Sequence, residues 1–312
     1  MARHESVLGL IGDTPLVGIH ALSPNPKVRI FAKLEGQNPG GSSKDRIALK
    51  MIELAERDGT LAPGDTILEP SSGNTGIGLA LVATLRGYHL RVVLPENVSI
   101  ERRQLLEIFG AEIVLSPGEE GSNGAIRLAE KLVADDPTQR FLFQYGNPAN
   151  PLAHYEGTGP EIWRDCPEVD VFVAGLGTSG TLMGVSRFLK EQKPSVQVVA
   201  VEPPAGEIVQ GLRSLEDGFV PPIFDPTLLD RKLIVRPRES IVWLRRLLDD
   251  AGVFAGISSG AAVAGAARLA EQMDEGTIVT LLPDGGWKYL SSRAWTDDID
   301  TVAERATRIN YW

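Results

Sequence analysis

Short apolar runs alternate along the chain with stretches in which apolar side chains recur every three or four positions, the pattern of strands followed by amphipathic helices. The clearest units are a strand at Thr66–Glu69 leading into a helix from about Asn74 to Arg86, and a strand at Leu90–Leu94 leading into a helix from Ser99 to Phe109. A strand at Glu112–Leu115 and a helix from about Ser122 to Ala134 follow. With the helix after Lys44, these crossovers predict one compact unit of about 100 residues. After Pro151 a second set of strands takes over, at Val169–Ala174, Val196–Val201 and Thr277–Leu282, with helices near Thr181–Gln192, Glu239–Ala251 and Ser259–Gln272. Such alternation predicts an α/β protein on largely parallel sheets. Ser99 suits a helix N-cap and Gly110 a helix stop. The proline-rich segment from Phe219 to Pro237 reads as an irregular surface excursion, and neither a repeat nor a low-complexity linker interrupts the pattern.

Composition narrows the possibilities without choosing among them. The 312 residues suffice for about two domains, and 43% apolar with 23% charged residues is ordinary for a globular chain. Acidic residues number 41 and basic residues 31, leaving a net charge of −10 and a pI near 5.0. That balance disfavours a nucleic-acid or anionic-membrane surface, and any anionic substrate must be met by local donors. Cys166 has no partner thiol and suits a small apolar packing role. The four histidines, His4, His20, His89 and His154, lack ligand spacing, so no metal site is expected. The N-terminus shows no apolar targeting stretch, and no run reaches the roughly 18 apolar residues of a spanning helix. A soluble cytoplasmic protein is the expectation.

Three short runs carry the candidate chemistry: Asn38 to Arg46 with Lys44 near its end, Ser71 to Gly76, and Gly175 to Thr181. A lysine just past a turn can form a Schiff base with a carbonyl cofactor, a loop dense in small donors can hold a carboxylate, and a Gly/Thr/Ser loop opening a helix can hold a phosphate. Each has a plainer reading when taken alone. Lys44 would then be a solvated helix start, Ser71 to Gly76 a strand-to-helix turn, and Gly175 to Thr181 a dinucleotide loop. The dinucleotide reading leaves Lys44 and Asn74 without a role. All three runs, with Pro283 to Gly286, follow predicted strands or turns at the end where α/β proteins bind ligands.

In these runs the chain resembles the fold-type II pyridoxal-phosphate enzymes, within them the cysteine synthase group, and most closely its B-type branch. The likeness runs from about Ile11 to Leu290. It implies a small mobile domain over residues 45–150 carrying the substrate-carboxylate loop, and a larger cofactor domain made of residues 13–44 with 151–312. The segment from about Pro15 to Leu34 would cross over to that larger domain. By the same resemblance Lys44 holds pyridoxal phosphate and acts as general base, while Gly177, Thr178, Ser179, Gly180 and Thr181 bind the phosphate. Asn74 meets the ring oxygen, and Ser258 faces the pyridine nitrogen. Ser71, Ser72, Gly73, Thr75 and Gln144 hold the substrate carboxylate, and Arg213 lies near the substrate side chain.

The implied reaction is β-replacement, through an aminoacrylate, that makes cysteine from O-phosphoserine or O-acetylserine. A serine hydroxyl opposite the ring nitrogen supplies no counter-charge, which favours prompt loss of a β-leaving group over transamination. A guanidinium at 213 would suit a phosphate leaving group. Plainer roles stay open: Ser258 as a helix N-cap and Arg213 as a surface arginine at a helix end. The sulfur donor is open between sulfide, thiosulfate and a carrier protein, and a homodimer is implied. The tail Asn310-Tyr311-Trp312 could close the site or dock on the protein's own surface. A cystathionine synthase-like enzyme, a serine/threonine dehydratase and a catalytically silent binding protein are the competing functions. Thr75 stands where dehydratases usually carry histidine, which weighs against that reading.

Overall fold

The computed structural model describes residues 3–71 and 73–308, and the tail at 310–312 lies outside the described residues. The chain opens with β1 (Leu16–Gly18) and β2 (Val28–Leu34), then α1 (Lys44–Asp58). Four strands alternating with three helices follow: β3 (Thr66–Pro70), α2 (Asn74–Arg86), β4 (His89–Pro95), α3 (Ile100–Ile108), β5 (Glu112–Ser116), α4 (Gly121–Asp135) and β6 (Arg140–Phe141). Two short helices, α5 (Ala149–Ala153) and α6 (Gly159–Asp165), flank a π turn at His154–Thr158. The rest comprises β7 (Val171–Gly175), α7 (Gly180–Gln192), β8 (Gln197–Glu202), β9 (Arg231–Ile234), α8 (Pro237–Ala251), α9 (Ile257–Ala270), β10 (Gly276–Leu282) and α10 (Ile299–Arg308).

Two sheets result. One has four parallel strands in the order β5-β4-β3-β6. The other has six in the order β1-β2-β10-β7-β8-β9, all parallel except β1. The interior strands β7 and β10 are buried along almost their whole length, which is why they read as unbroken apolar runs rather than alternating ones. Helix α9 is buried at every position except Arg268, and its Ala- and Gly-rich sequence lets neighbouring backbone come close. Leu244 and Leu247 of α8 join Val263, Ala264 and Ala266 of α9 and Val173, Val199 and Val201 of the large sheet in one core. A separate core fills one face of the smaller sheet with Ile47 and Met51 of α1, Ile77 and Val82 of α2, and Val92 and Leu94 of β4.

Two expectations need correction. The segment Phe219–Pro237 is not wholly irregular, because Arg231–Ile234 pairs with β8 as the edge of the large sheet. Of its four residues two are charged and only Leu233 packs against the core, so no alternation marks them as a strand. Ser99 does occupy the N-cap position of α3, but the side-chain capping bond expected of such a residue is absent; its hydroxyl instead donates to the Lys288 carbonyl at 3.1 Å. Among the described residues no helix is long and apolar enough to cross a membrane.

Candidate active site

Lys44 is the first residue of α1. Gly40 N–H donates to Asp45 Oδ2 at 2.5 Å, closing the glycine-rich turn just ahead of the helix. Two residues on, Arg46 lies between Glu35 and Glu161, with Nε 2.7 Å from Glu35 Oε2 and Nη1 2.6 Å from Glu161 Oε1. Lys33 of β2 completes this buried network, 2.7 Å from Glu161 Oε2. Helix α1 is thereby tied to β2 and α6 at the point where Lys44 leaves it. Burial pushes the Lys44 amine below its usual value, with Asp284, Glu35 and Asp45 pulling it partly back. Burial also raises the Asp45 carboxyl to about 6.

The loop after β7 carries Gly177, Thr178, Ser179, Gly180 and Thr181 into the N-terminus of α7, where backbone N–H groups and the helix dipole favour an anion. Ser179 adopts a left-handed φ of 70°, and its hydroxyl is buried with no hydrogen-bond partner among the described residues. Gly180 is required by a close approach, since a Cβ there would come 1.8 Å from Asn150 Oδ1. Asn150 in turn donates to Thr178 Oγ1 at 3.0 Å. Behind the loop, His154 contacts Thr181 Oγ1 through Nε2 at 3.2 Å and Thr158 Oγ1 through Nδ1 at 2.9 Å. Burial drives the His154 ring down to about 3, so it stands neutral against the loop. A helix N-terminus, an orphaned buried hydroxyl and, among the described residues lining the hollow, no carboxylate together fit a phosphate group.

The turn after β3 is shaped by Ser71, whose hydroxyl oxygen accepts from Gly73 N–H at 3.1 Å and Gly76 N–H at 3.0 Å. Gly73 has φ of 148°, and a Cβ there would meet Arg102 Cδ at 2.4 Å. Thr75 donates to Gln144 Oε1 at 2.6 Å, which ties α2 to the segment after β6. Glu69 accepts the backbone N–H groups of Phe143 and Gln144, and its burial raises the carboxyl to about 8. Ser72 lies outside the described residues.

These loops converge on two adjoining hollows. One is lined by Lys44, the Gly177–Thr181 loop, Gly211 and Ser258, and encloses about 440 Å³ of space, partly open to solvent. The other, of about 670 Å³, shares Lys44, Thr178 and Ser258 and adds Asn74, Thr75, Gln144 and Arg213. The plainer roles left open for two residues are corrected here. Gly256, not Ser258, is the N-cap of α9, and Ser258 is the second residue of the helix, buried and lining the hollow. Arg213 is in a loop rather than at a helix end, and only 6% of it is exposed. Its guanidinium lies 4.6 Å from the Phe219 ring centroid and 5.4 Å from that of Tyr145, and Nη1 is 3.3 Å from Asn123 Oδ1.

Sequence reasoning passed over Arg102, Asp284, Lys288 and Tyr289. Arg102 and Tyr289 line the larger hollow, with the guanidinium 4.6 Å from the Tyr289 ring centroid. Asp284 and Lys288 both bond to Asn74. The only written signal for any of them is proximity to the turn at 283–286. Among the described residues no group of three His, Cys, Asp or Glu side chains is placed to hold a metal ion.

Comparison with known proteins gives a consistent answer. The family described as pyridoxal-phosphate dependent enzyme matches residues 7–284. Cysteine synthase B of Pseudomonas aeruginosa is 42% identical over 291 residues, covering 93% of this chain and 97% of that protein. The crystal structure of O-ureido-L-serine synthase superposes with a TM-score of 0.89 at 40% identity, covering 95% of this chain and 97% of the other. Cysteine synthase from Entamoeba histolytica superposes with a TM-score of 0.89 at 33% identity, covering 98% and 96%.

Proposed function

The chain belongs to the pyridoxal-phosphate-dependent enzyme family, and from that membership we propose that it forms L-cysteine by β-replacement on an activated serine. The observation that carries the proposal is that one pair of adjoining hollows is lined by the amine, the phosphate-type loop, the carboxylate-type loop and Ser258 together. Bound there, pyridoxal phosphate supplies a conjugated ring that accepts the electron pair released at the amino acid's α-carbon.

Gly177 to Thr181 would hold the cofactor phosphate through backbone N–H groups and the orphaned Ser179 hydroxyl. Asn74 would donate to the ring oxygen, and Ser258 would face the ring nitrogen with a neutral hydroxyl. Thr75 and Gln144, with the turn from Ser71 through Ser72 and Gly73, would take the substrate carboxylate. Lys44, with its amine already shifted toward the neutral form by burial, would hold the cofactor. Once released, it would take the α-proton as the acetate or phosphate group leaves the β-carbon with its bonding pair, and would return that proton to the α-carbon when a sulfur nucleophile bonds the β-carbon. Arg213, held between Phe219 and Tyr145, would meet an anionic leaving group, which favours O-phosphoserine over O-acetylserine.

The test is cysteine formation from each ester with sulfide, in the parent and in Arg213→Ala. The expected result is faster turnover of O-phosphoserine and a preferential loss of that rate in the variant. Equal losses with both esters would remove the phosphate assignment, and no cysteine from either would sink the reaction. The likeness to O-ureido-L-serine synthase favours a second reading in which the serine half of the reaction is kept and the incoming nucleophile differs. The mass of the product separates the two.

A further inference from the structure

Asp284 and Lys288 are buried, yet neither lines the hollows around Lys44. Lys288 Nζ donates to the Gly40 carbonyl at 2.8 Å and to Asn74 Oδ1 at 2.9 Å. On the other side of the amide, Asn74 Nδ2 donates to Asp284 Oδ2 at 2.7 Å, and Tyr289 donates its hydroxyl to that same oxygen at 2.5 Å. The two ends of a side-chain amide are alike in shape, so partner chemistry decides which way it points. An ammonium only donates and a carboxylate only accepts. Between Lys288 and Asp284, one orientation makes both bonds and its flip loses both. The remaining N–H of Asn74 is left for the hollow that Asn74 lines.

From this geometry we propose that Lys288 and Asp284 are positioning residues that grip opposite ends of the Asn74 amide and present its free N–H to the ring oxygen of the cofactor. The inference rests on the role given to Asn74 above and extends it to two residues that touch neither cofactor nor substrate. Two features of the surroundings agree with a fixed device. A buried ammonium is costly unless its donors are engaged, and Lys288 has two of them committed, one to the turn that precedes Lys44 and one to Asn74. Burial lowers its amine only to about 8, with Asp284 and Asp45 opposing the fall and Arg102 and Lys44 adding to it, so the donor-only form prevails at neutral pH.

A double-mutant cycle on cofactor affinity tests the grip. Protein stripped of cofactor is titrated with pyridoxal phosphate, and the dissociation constant and visible absorbance are recorded for the parent, Lys288→Met, Asn74→Ala and the pair. Each single change is expected to weaken binding about tenfold, and the pair no more than Asn74→Ala alone. Lys288→Met should share the absorbance band of Asn74→Ala, and Lys288→Arg, which keeps a charged donor, should restore most of the affinity. Asp284→Leu, close in size and without an acceptor, should behave as Lys288→Met does in its own cycle with Asn74→Ala, which covers the case where Lys288→Met fails to fold. Additive losses in either cycle, or an unshifted band, would overturn the grip while leaving the cofactor reading intact. A parent protein that forms no coloured complex would overturn both.

Discussion

Replacing Arg46 by alanine strips two buried carboxylates of their shared cation at once. Arg46 makes five side-chain hydrogen bonds, to Glu35, Glu161 and Thr14. Glu161 keeps Lys33, but Glu35, fully buried, keeps only neutral donors from Thr14 and Asn38. Breaking a buried pair from one side costs about 3–5 kcal/mol, because the charge left behind is uncompensated. A chain of this size should then melt roughly 5–15 °C lower. The pH dependence follows from the same carboxylates. Burial alone would raise Glu35, yet Arg46 holds it below its usual value, and Arg46 with Lys33 holds Glu161 at about 2. Groups depressed in this way stabilise the fold above the ordinary carboxyl range, and that contribution is lost as pH falls from about 4.5 toward 2. In Arg46→Ala burial wins at Glu35, so the gap between parent and variant should narrow as pH falls from 7 to 4. Thermal and urea melts across that range measure it. Arg46→Met with Glu35→Gln, which removes both charges and leaves Lys33–Glu161 in place, should recover most of the loss. A gap under about 1 kcal/mol at pH 7, or one that does not change with pH, would refute the reasoning.

Ser179→Ala removes a buried hydroxyl that has no hydrogen-bond partner among the described residues, so cofactor-free protein should melt at the same temperature or higher while its affinity for pyridoxal phosphate falls about tenfold; melts with and without the cofactor separate the two effects. Glu69, raised to about 8, retains its proton in the folded chain where the unfolded chain has lost it, so it erodes stability as pH rises from about 4.5 to 8. Glu69→Gln should flatten urea-midpoint curves over that window, being less stable than the parent at pH 5 by about 1 kcal/mol for the lost acceptor and level with it or better at pH 8. A parallel pair of curves would contradict the assignment. The Cys166 thiol, buried and pushed up to about 12, should resist alkylation at pH 8 until the protein is unfolded, as mass spectrometry would show.

Residues that announce themselves by local pattern were legible in the sequence, and those that act through burial were not. Gly40 and Gly41 before Lys44, and the strand-turn-helix context of Gly175 to Thr181, mark backbone that must turn or expose N–H groups, and the structure brings both runs to one cavity. Arg46, Asp284 and Lys288 read in the sequence as ordinary charges, and such residues are normally solvated. Their importance comes from being desolvated together across more than a hundred positions of chain. The same limit explains β9, whose charged edge residues carry no alternation, and the pairing of β2 with β10, which no local period encodes.

Strand β10 lies in the interior of the six-stranded sheet, between β2 and β7, although it follows both of them in the chain. On a ribosome, β2 and β7 therefore wait with open edges until residues 276–282 have emerged, because Gly276 pairs with Val28 and Ile278 with Val171. The four-stranded sheet, drawn wholly from residues 66–141, can close much earlier. Premature termination anywhere between the two would release a chain with one finished sheet and two parallel edges free to pair with other chains. Emergence of residues 276–282 is thus what closes both of those open edges in one step.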